Sequence, residues 1–301
     1  MAQTNTVNSQ FVGALAGEIF VQAYKKADTI GKGMITVLPN VIGTGYLPKI
    51  SHSQSLAEYS CGFTPAGTVT YTDKAVATKK YEIKDEFCKD DFHATFQAQA
   101  AGLFGANNEI PATIADAILL AMVSNAGAII DAQIWQGTGT TGNFSGLIAQ
   151  FVADGDVVDV LGVTGGVTVT NVQDELAKVY NAIPEEIMNG TDLVMAVSPG
   201  VARAYKQSQV ANYMVGSPVG DKVLDYIGVR MESIAGLPAN TIVAYRVKNL
   251  GFLTGLEADL NEVRVIDLDA ADGSGLLRTK MVFNAGVGYS FGTEIVYYRP
   301  A

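Results

Sequence analysis

Apolar residues recur with helical spacing in one long stretch near the middle of the chain. From Asn108 to Trp135, isoleucines and a methionine return every three to four residues among alanines, and Pro111 suits a first helical turn. The next break signals are the glycines at positions 137, 139 and 142. The pattern predicts one helix of about 37 Å, at about 1.5 Å per residue over some 25 residues.

Shorter helices and strands alternate in the second half of the chain. Thr170 and Gln173 resemble a capping box that opens a helix from Val172 to Ala182. The segment Leu193 to Val197 is apolar throughout, as in a buried strand, and Pro199 suits the start of another helix. Beyond that helix the pattern predicts strands at Val229 to Ile234, Thr241 to Val247, Val263 to Asp267, Thr279 to Phe283 and Gly288 to Tyr298. The predicted fold class is α+β.

The first fifth of the chain carries weaker patterns. Phe11 to Ala27 has apolar residues near helical spacing and predicts a short amphipathic helix. Glycines and prolines then recur up to Pro48, which predicts an extended arm with brief strands. This part of the chain is therefore expected to lie outside the core.

A long hairpin is predicted between Gly67 and Glu82. β-forming residues alternate with polar ones on either side of the triplet Thr72-Asp73-Lys74, which suits a turn. The strands are polar on both faces for much of their length, so the hairpin has no core of its own and needs a neighbour to bury against. If that neighbour is another subunit, the contact residues are Val69, Tyr71, Lys74, Val76 and Tyr81.

Composition indicates a globular chain. Hydrophobic residues make up 48% of the 301 residues and charged ones 17%, which is apolar enough for a large core. The formal net charge is -10, from 30 acidic and 20 basic residues, which disfavours tight phosphate neutralisation and suits the solubility of an abundant protein. No apolar run approaches about 20 residues and the start of the sequence lacks signal-peptide features, so neither secretion nor membrane insertion is expected.

The two cysteines, Cys61 and Cys88, are too few for a disulfide scaffold or a zinc site beside two histidines. They flank the predicted hairpin almost symmetrically about Lys74-Ala75, so a regular register would bring them opposite each other as a candidate thiol pair. In a reducing cytoplasm these thiols are expected to be free, and oxidation is expected to be possible only after the protein is released from the cell.

Two further patterns contain residue types that are found at chemical sites. Gly137, Gly139 and Gly142 spell a dinucleotide-binding motif, but they follow a helix instead of a strand, which favours a surface loop. The acidic loop around Asp267 has ligand types for a hard cation but the wrong spacing for a calcium loop, so a solvated turn is favoured.

Neither histidine, His52 or His93, lies in a nucleophile motif. The acidic residues that alternate with lysines near His93 suit a solvated or intersubunit face better than acid-base catalysis. No catalytic site, metal site or cofactor is therefore expected.

The order of these elements resembles the major capsid proteins of tailed bacteriophages, which have a Hong-Kong-97-like fold. The strings that carry the resemblance are CGFTPAGT from Cys61, YEIKDEFCKDDF from Tyr81, FSGL from Phe144, NLGF from Asn249 with TGL from Thr254, and the ending from Phe283 through Tyr297. They occur in order across nearly the whole chain.

The resemblance implies an N-terminal arm (1–50), an extended hairpin loop (51–92), a peripheral domain with a long spine helix (93–149), an axial domain (150–262) and C-terminal strands that return to the peripheral domain (263–301). It implies a structural subunit of an icosahedral virion shell, which assembles in the bacterial host cytoplasm as pentamers and hexamers around double-stranded DNA bound without sequence specificity. Implied partners are portal and scaffolding proteins, with a cement protein as a further candidate. No membrane partner is implied.

Two alternatives stay open at this point. The same fold could serve an encapsulin-type compartment, which holds a protein cargo instead of a genome. A chain of another class, a β-rich enzyme or a binder of small ligands, would be monomeric and would bind its ligand saturably. The predicted hairpin, which has no core of its own, argues against a monomer.

Overall fold

A computed structural model of the protein describes residues 9–12, 27–54, 56, 58–59, 61, 67–88, 112–212, 224–255, 262–268 and 273–300. The strands are β1 (Ser9–Val12), β2 (Thr36–Leu38), β3 (Thr44–Gln54), β4 (Gly67–Ala77), β5 (Lys79–Cys88), β6 (Val158–Leu161), β7 (Leu193–Val197), β8 (Leu224–Tyr226), β9 (Val229–Ser233), β10 (Ile242–Arg246), β11 (Leu250–Thr254), β12 (Glu262–Asp267), β13 (Leu276–Tyr289) and β14 (Val296–Arg299). The helices are α1 (Asp28–Gly31), α2 (Ala112–Gln136), α3 (Leu147–Ala153), α4 (Val172–Ala182), α5 (Glu185–Met188) and α6 (Pro199–Asn212), with 3-10 turns at Val247–Asn249 and Gly292–Glu294.

The first sheet is organised around β13. Its strand order is β1-β12-β13-β11-β2, and β5 also pairs with β13. The sequence predicted two separate strands, Thr279 to Phe283 and Gly288 to Tyr298, and this was wrong because β13 continues through Asn284 without a break. The buried amide of Asn284 donates hydrogen bonds to the Val41 carbonyl and to the Thr78 hydroxyl, each at 3.0 Å. These partners, remote in sequence, allow a polar residue inside the strand.

The second sheet is covered on both faces. Its order is β6-β14-β10-β7-β9-β8, and every residue of β7 is buried. Val194 and Ala196 face the core shared with the first sheet, whereas the alternate residues of β7 face a second core built with α4 and α6. The predictions of β7, of α4 from Val172 to Ala182 and of a helix beginning at Pro199 are confirmed.

The predicted capping box at α4 is wrong. Asn171 occupies the N-cap position, and its side-chain oxygen accepts a hydrogen bond from the Thr168 amide at 2.6 Å. The Thr170 hydroxyl instead pairs with the Thr168 hydroxyl at 3.0 Å. The local turn therefore uses the side chains that a capping box would direct at the helix amides.

The long helix α2 is confirmed and runs through the main core. Its buried hydrophobic residues include Met122, Ala126, Ile130, Ile134 and Trp135. The i, i+4 spacing of the first four aligns them on one side of the helix. The same core contains residues from both sheets, among them Phe252 and Tyr245.

A buried carboxylate ties α2 to α1 and to the loop between β9 and β10. Asp131, 3% exposed, accepts hydrogen bonds from the amides of Thr29 at 2.8 Å and Gly236 at 2.7 Å. Trp135 Nε1 donates to the Thr29 hydroxyl at 2.7 Å. Met34 is fully buried nearby, so this part of the predicted arm belongs to the core.

The helix predicted from Phe11 to Ala27 is only partly covered by the described residues. Phe11 and Val12 lie in β1, which pairs with β12. Residues 13–26 lie outside the described part of the chain. The first two residues of the prediction are therefore wrong, since they are strand.

Candidate functional site

A two-stranded hairpin extends from the first sheet and is the candidate site. β3 and β4 pair antiparallel from Thr44 opposite Ala77 to Gln54 opposite Gly67. β4 runs straight through the triplet 72–74, so the predicted turn there is wrong. The true partner, β3, contains Pro48, which a two-stranded ribbon tolerates because each strand has an open edge.

One face of the hairpin is apolar and exposed. Residues opposite each other in an antiparallel ladder share a face, and Ile50 stands opposite Tyr71 and His52 opposite Val69. Tyr46 lies on the same face because it is an even number of residues from Ile50. The exposed fractions are 64% for Tyr46, 58% for Ile50, 64% for Val69 and 62% for Tyr71. These four side chains are called the apolar face below.

The opposite face anchors the hairpin at its root. Leu47 and Val76, 5% and 7% exposed, pack against Leu253 of β11. Farther out, this face carries polar residues such as Ser51 opposite Thr70. The hairpin therefore packs on its own chain near the root only, and the apolar face has no cover among the described residues.

A charged and aromatic cluster fixes the root from the side. Lys74 Nζ lies 3.3 Å from the centroid of the Tyr289 ring and 3.4 Å from Asp154 Oδ2, and the Tyr289 hydroxyl donates to the same oxygen at 2.6 Å. Partial burial lowers the pKa of the Lys74 ammonium group. The hydrogen bond from Tyr289 lowers the pKa of the Asp154 carboxyl. Together the three groups join β4, β13 and the end of α3.

Thr78 marks the point where the chain passes from the hairpin into the first sheet. Its amide and hydroxyl both donate to the Gly43 carbonyl, at 2.6 Å and 2.9 Å. Asn284 donates to the same hydroxyl. The hydrogen bonds of Thr78 therefore hold together both hairpin strands and β13.

The predicted contact residues divide into two groups. Val69 and Tyr71 lie on the apolar face, whereas Val76 is buried at the root and Lys74 is held by Asp154 and Tyr289. Tyr81 packs its ring 5.8 Å from Phe144 and 6.1 Å from Phe283, centroid to centroid. Within the chain, Lys74, Val76 and Tyr81 make root and core contacts, because the triplet 72–74 is strand and not a turn. The predicted intersubunit contact itself stays a prediction.

Sequence reasoning missed Tyr46 and Ile50 of the apolar face. Ile50 lies between the polar residues Lys49 and Ser51, which is a weak strand signal. Pro48 between Tyr46 and Ile50 and the glycines before them hid that signal. The sequence therefore predicted a pairing partner that follows β4 in the chain, whereas the true partner, β3, precedes it.

The two cysteines are free, with Cys61 exposed and Cys88 partly exposed. Cys88 stands opposite Leu276 in the pair of β5 and β13. The register that would have faced Cys88 with Cys61 does not exist, since β5 pairs with β13 and not with β4. The predicted thiol pair has therefore lost its geometric basis.

The other chemical motifs behave as structural elements where they are described. Gly139 and Gly142 have positive φ, and Thr138 and Ser145 close the loop after α2 as a β-bridge. His52 is exposed in β3, and His93 lies outside the described residues. Asp269 and Asp272 of the acidic loop also lie outside the described residues.

The described ranges hold neither a candidate metal site nor a candidate membrane-spanning helix. They contain no group of three or more His, Cys, Asp or Glu side chains arranged to hold a metal ion. None of the helices in the same ranges is both long enough and apolar enough to cross a membrane.

The chain is similar to solved phage and capsid structures. A structure of Gordonia phage Cozz matches 91% of this chain and 86% of its own, with a TM-score of 0.62 and 16% identity. The capsid of an empty GTA particle matches 100% and 94%, with a TM-score of 0.58 and 10% identity. The capsid of Myoviridae phage XM1 matches 100% and 96%, with a TM-score of 0.55 and 11% identity.

At these identities the likeness establishes the fold. The chain has the α+β fold of phage capsid proteins, as the sequence predicted. No family model and no curated protein sequence matches the chain. The boundaries of the arm, hairpin loop, peripheral and axial domains stay predictions.

Proposed function

From the phage capsid fold and the uncovered apolar face of the hairpin, we propose that this chain is the major capsid protein of a tailed bacteriophage. It acts as a structural subunit of the shell and catalyses no reaction. The observation that carries the proposal is that four large apolar side chains of one ribbon face are each more than half exposed.

An exposed face of this kind needs a partner. A two-stranded ribbon in water is marginally stable on its own and gains stability when one face is buried. Tyr46, Ile50, Val69 and Tyr71 lie along about 20 Å of ribbon, at about 3.3 Å per residue. Buried aromatic anchors such as tyrosine are among the residues that carry most of the binding energy in a typical interface. Burial of the apolar area of isoleucine and valine adds to it. A second copy of the same chain is the occupant that a capsid fold provides.

The proposal extends to the assembly. The copies form pentamers and hexamers of a virion shell around double-stranded DNA, and assembly takes place in the host cytoplasm with portal and scaffolding proteins. The net charge of -10 suits a shell that encloses DNA without binding its phosphates tightly. The structures named above are of phages and capsids, which favours a genome shell over the encapsulin alternative.

Electron microscopy of the expressed protein tests the proposal. The chain is produced alone and together with its neighbouring genes, and each preparation is examined in negative stain. Closed shells are expected in at least one of the two. A monomer in both preparations, with a saturable small ligand, would overturn the proposal.

A shortened hairpin is the matched control. Residues 51–70 are replaced by Asn-Gly, which forms a tight turn between Ile50 and Tyr71. The root contacts of Lys74 and Thr78 remain, so the far-UV circular dichroism of the folded body should match the parent. Shells should be absent from this variant.

A further inference from the structure

A cavity opens at the root of the hairpin, next to the apolar face. Its volume is about 230 Å³, smaller than the pockets of about 300–1,000 Å³ that take drug-sized ligands. Ala75, Ala77, Phe144 and Val287 form apolar walls, and Lys79 and Asn143 are among the polar lining groups. The size and lining suit one amphipathic side chain.

The cavity is continuous with the apolar face. Ala75 stands opposite Tyr46, and Ala77 lies on the same face of β4. Both alanines are exposed although they line the cavity. A partner that covers the apolar face therefore reaches the cavity mouth along the same surface.

The hairpin tip carries a highly exposed aromatic residue beside an acid. Tyr59 is 92% exposed and Leu56 fully exposed. Glu58 precedes Tyr59 and is exposed, and within the described ranges neither Glu58 nor Lys79 forms an ion pair. Tyr59 follows the far end of the ladder, about 33 Å from the root at about 3.3 Å per residue. A tip so far from its own root cannot fill its own cavity.

We propose that the cavity at the hairpin root receives the Tyr59 side chain from the hairpin tip of a second copy, with Glu58 of that tip beside Lys79. Tyrosine suits the site because it has an apolar ring and one polar end, matching apolar walls and a polar lining. The acid and the base supply charge complementarity that fixes the orientation. The contact is between two different surfaces, so it propagates from copy to copy in a ring or an array. This inference rests on the proposed shell function.

A thiol placed in the cavity tests the contact directly. Cys61 is two residues from Tyr59, at most about 7 Å along the chain. In a Cys88→Ser background, Ser145→Cys puts a second thiol in the cavity lining. Diamide treatment of particles should give disulfide-linked multimers on non-reducing denaturing gels. Adding Cys61→Ser should remove them, and Asp225→Cys on β8 should give none.

A charge exchange supplies the second test. Glu58→Lys and Lys79→Glu should each raise the protein concentration needed for assembly about two- to fivefold, as expected for an exposed ion pair. The double variant should return to the parent value. Tyr59→Ala should raise it about tenfold or more, as for a buried aromatic anchor. Circular dichroism checks that each variant is folded.

The outcomes separate the two proposals. Particles that form normally but give no Cys61 cross-link to the cavity thiol, with no rescue in the double variant, overturn the contact and leave the shell function standing. A parent chain that forms no particles, alone or with its neighbouring genes, overturns both. Cross-links that need Cys61, together with charge rescue, support the contact.

Discussion

The ammonium group of Lys74 lies 3.3 Å from the centroid of the Tyr289 ring, so a hairpin residue is held on the face of an aromatic residue in the central strand β13. Asp154 completes the cluster through both side chains. Contacts between a cation and an aromatic face contribute roughly 0.5–2 kcal/mol. The cluster therefore stabilises the hairpin root.

Replacing Lys74 by methionine should loosen the hairpin while the body stays folded. The stem of the side chain is kept and the charge is lost, so the predicted effect is roughly five- to thirtyfold faster exchange of the β3 and β4 amide protons, corresponding to about 1–2 kcal/mol. Hydrogen exchange with mass spectrometry measures it, with β10 as the internal reference. The control is Lys84→Met, since Lys84 is an exposed lysine paired with Glu82. Equal exchange in the two variants would contradict the prediction.

The Asp154 carboxyl should contribute a pH-dependent part of the stability. Its pKa is lowered in the folded protein, chiefly by the Tyr289 hydrogen bond. A lowered folded pKa gives stability that is present above the unfolded value of about 3.9 and is lost as the pH falls through the folded value. Urea unfolding between about pH 5 and pH 2 should therefore show a smaller loss of stability in Asp154→Asn than in the parent. The exposed Asp225→Asn serves as control and should follow the parent curve.

Asp131→Ala should be strongly destabilising. The variant leaves the buried amides of Thr29 and Gly236 without their acceptor, and each unsatisfied buried group costs about 1–3 kcal/mol. A loss of roughly 2–5 kcal/mol in the free energy of unfolding is expected from chemical denaturation. Asn125 is exposed on the same helix, and Asn125→Ala should stay within about 0.5 kcal/mol of the parent. A loss below 1 kcal/mol at Asp131 would speak against its role in tying α2 to α1 and to the loop that contains Gly236.

Gly137→Ala should destabilise the loop after the long helix. A Cβ at this position would collide with the carbonyl oxygen of Phe144, next to the β-bridge between Thr138 and Ser145. Backbone atoms cannot move aside as a flexible side chain does, so we expect a loss of about 2 kcal/mol or more. Gly155→Ala is the matched control, because a Cβ there meets nothing within 4 Å. Thermal unfolding compares the two; similar melting temperatures would contradict the steric explanation.

Charges on the apolar face should block assembly without unfolding the chain. Ile50 and Tyr71 stand opposite each other and are both exposed, so the double variant Ile50→Lys, Tyr71→Lys should keep the parent circular dichroism. Burying two unpaired charges in a subunit contact is costly, so particles should be lost in sedimentation and microscopy. Ser51→Lys with Thr70→Lys introduces the same charges on the opposite face and should allow assembly. Loss of particles from both double variants would contradict the assignment of the subunit contact to the apolar face.

The elements predicted well from sequence were those whose signal is local. The long helix α2 and the strand β7 follow from the spacing or continuity of their own apolar residues. The hairpin was half predicted, because the triplet 72–74 has turn-like composition although it lies within a strand. Strand pairing depends on a partner elsewhere in the chain, and no local pattern identified β3 as that partner.

The candidate site illustrates the same limit. Val69 and Tyr71 were found because they alternate with polar neighbours along β4, and their exposure follows from the hairpin having no core beneath them. The Lys74 cluster needs Asp154 and Tyr289, which are distant in sequence and meet only in the fold. Asn284 likewise depends on Val41 and Thr78 for its hydrogen bonds. Such contacts are visible only once the tertiary structure is known.

A small rotation at the root of the hairpin produces a large displacement at its far end. It is held at one end, at Thr78 and Lys74, while its ladder extends about 33 Å away at about 3.3 Å per residue. A rotation of about 10° at the root would displace the far end by about 6 Å over that length. A slight repacking of Leu47 and Val76 against Leu253 can therefore re-aim the tip by more than one residue spacing. One amino-acid sequence can in this way reach neighbours that sit at different angles, as a curved surface tiled by identical chains requires.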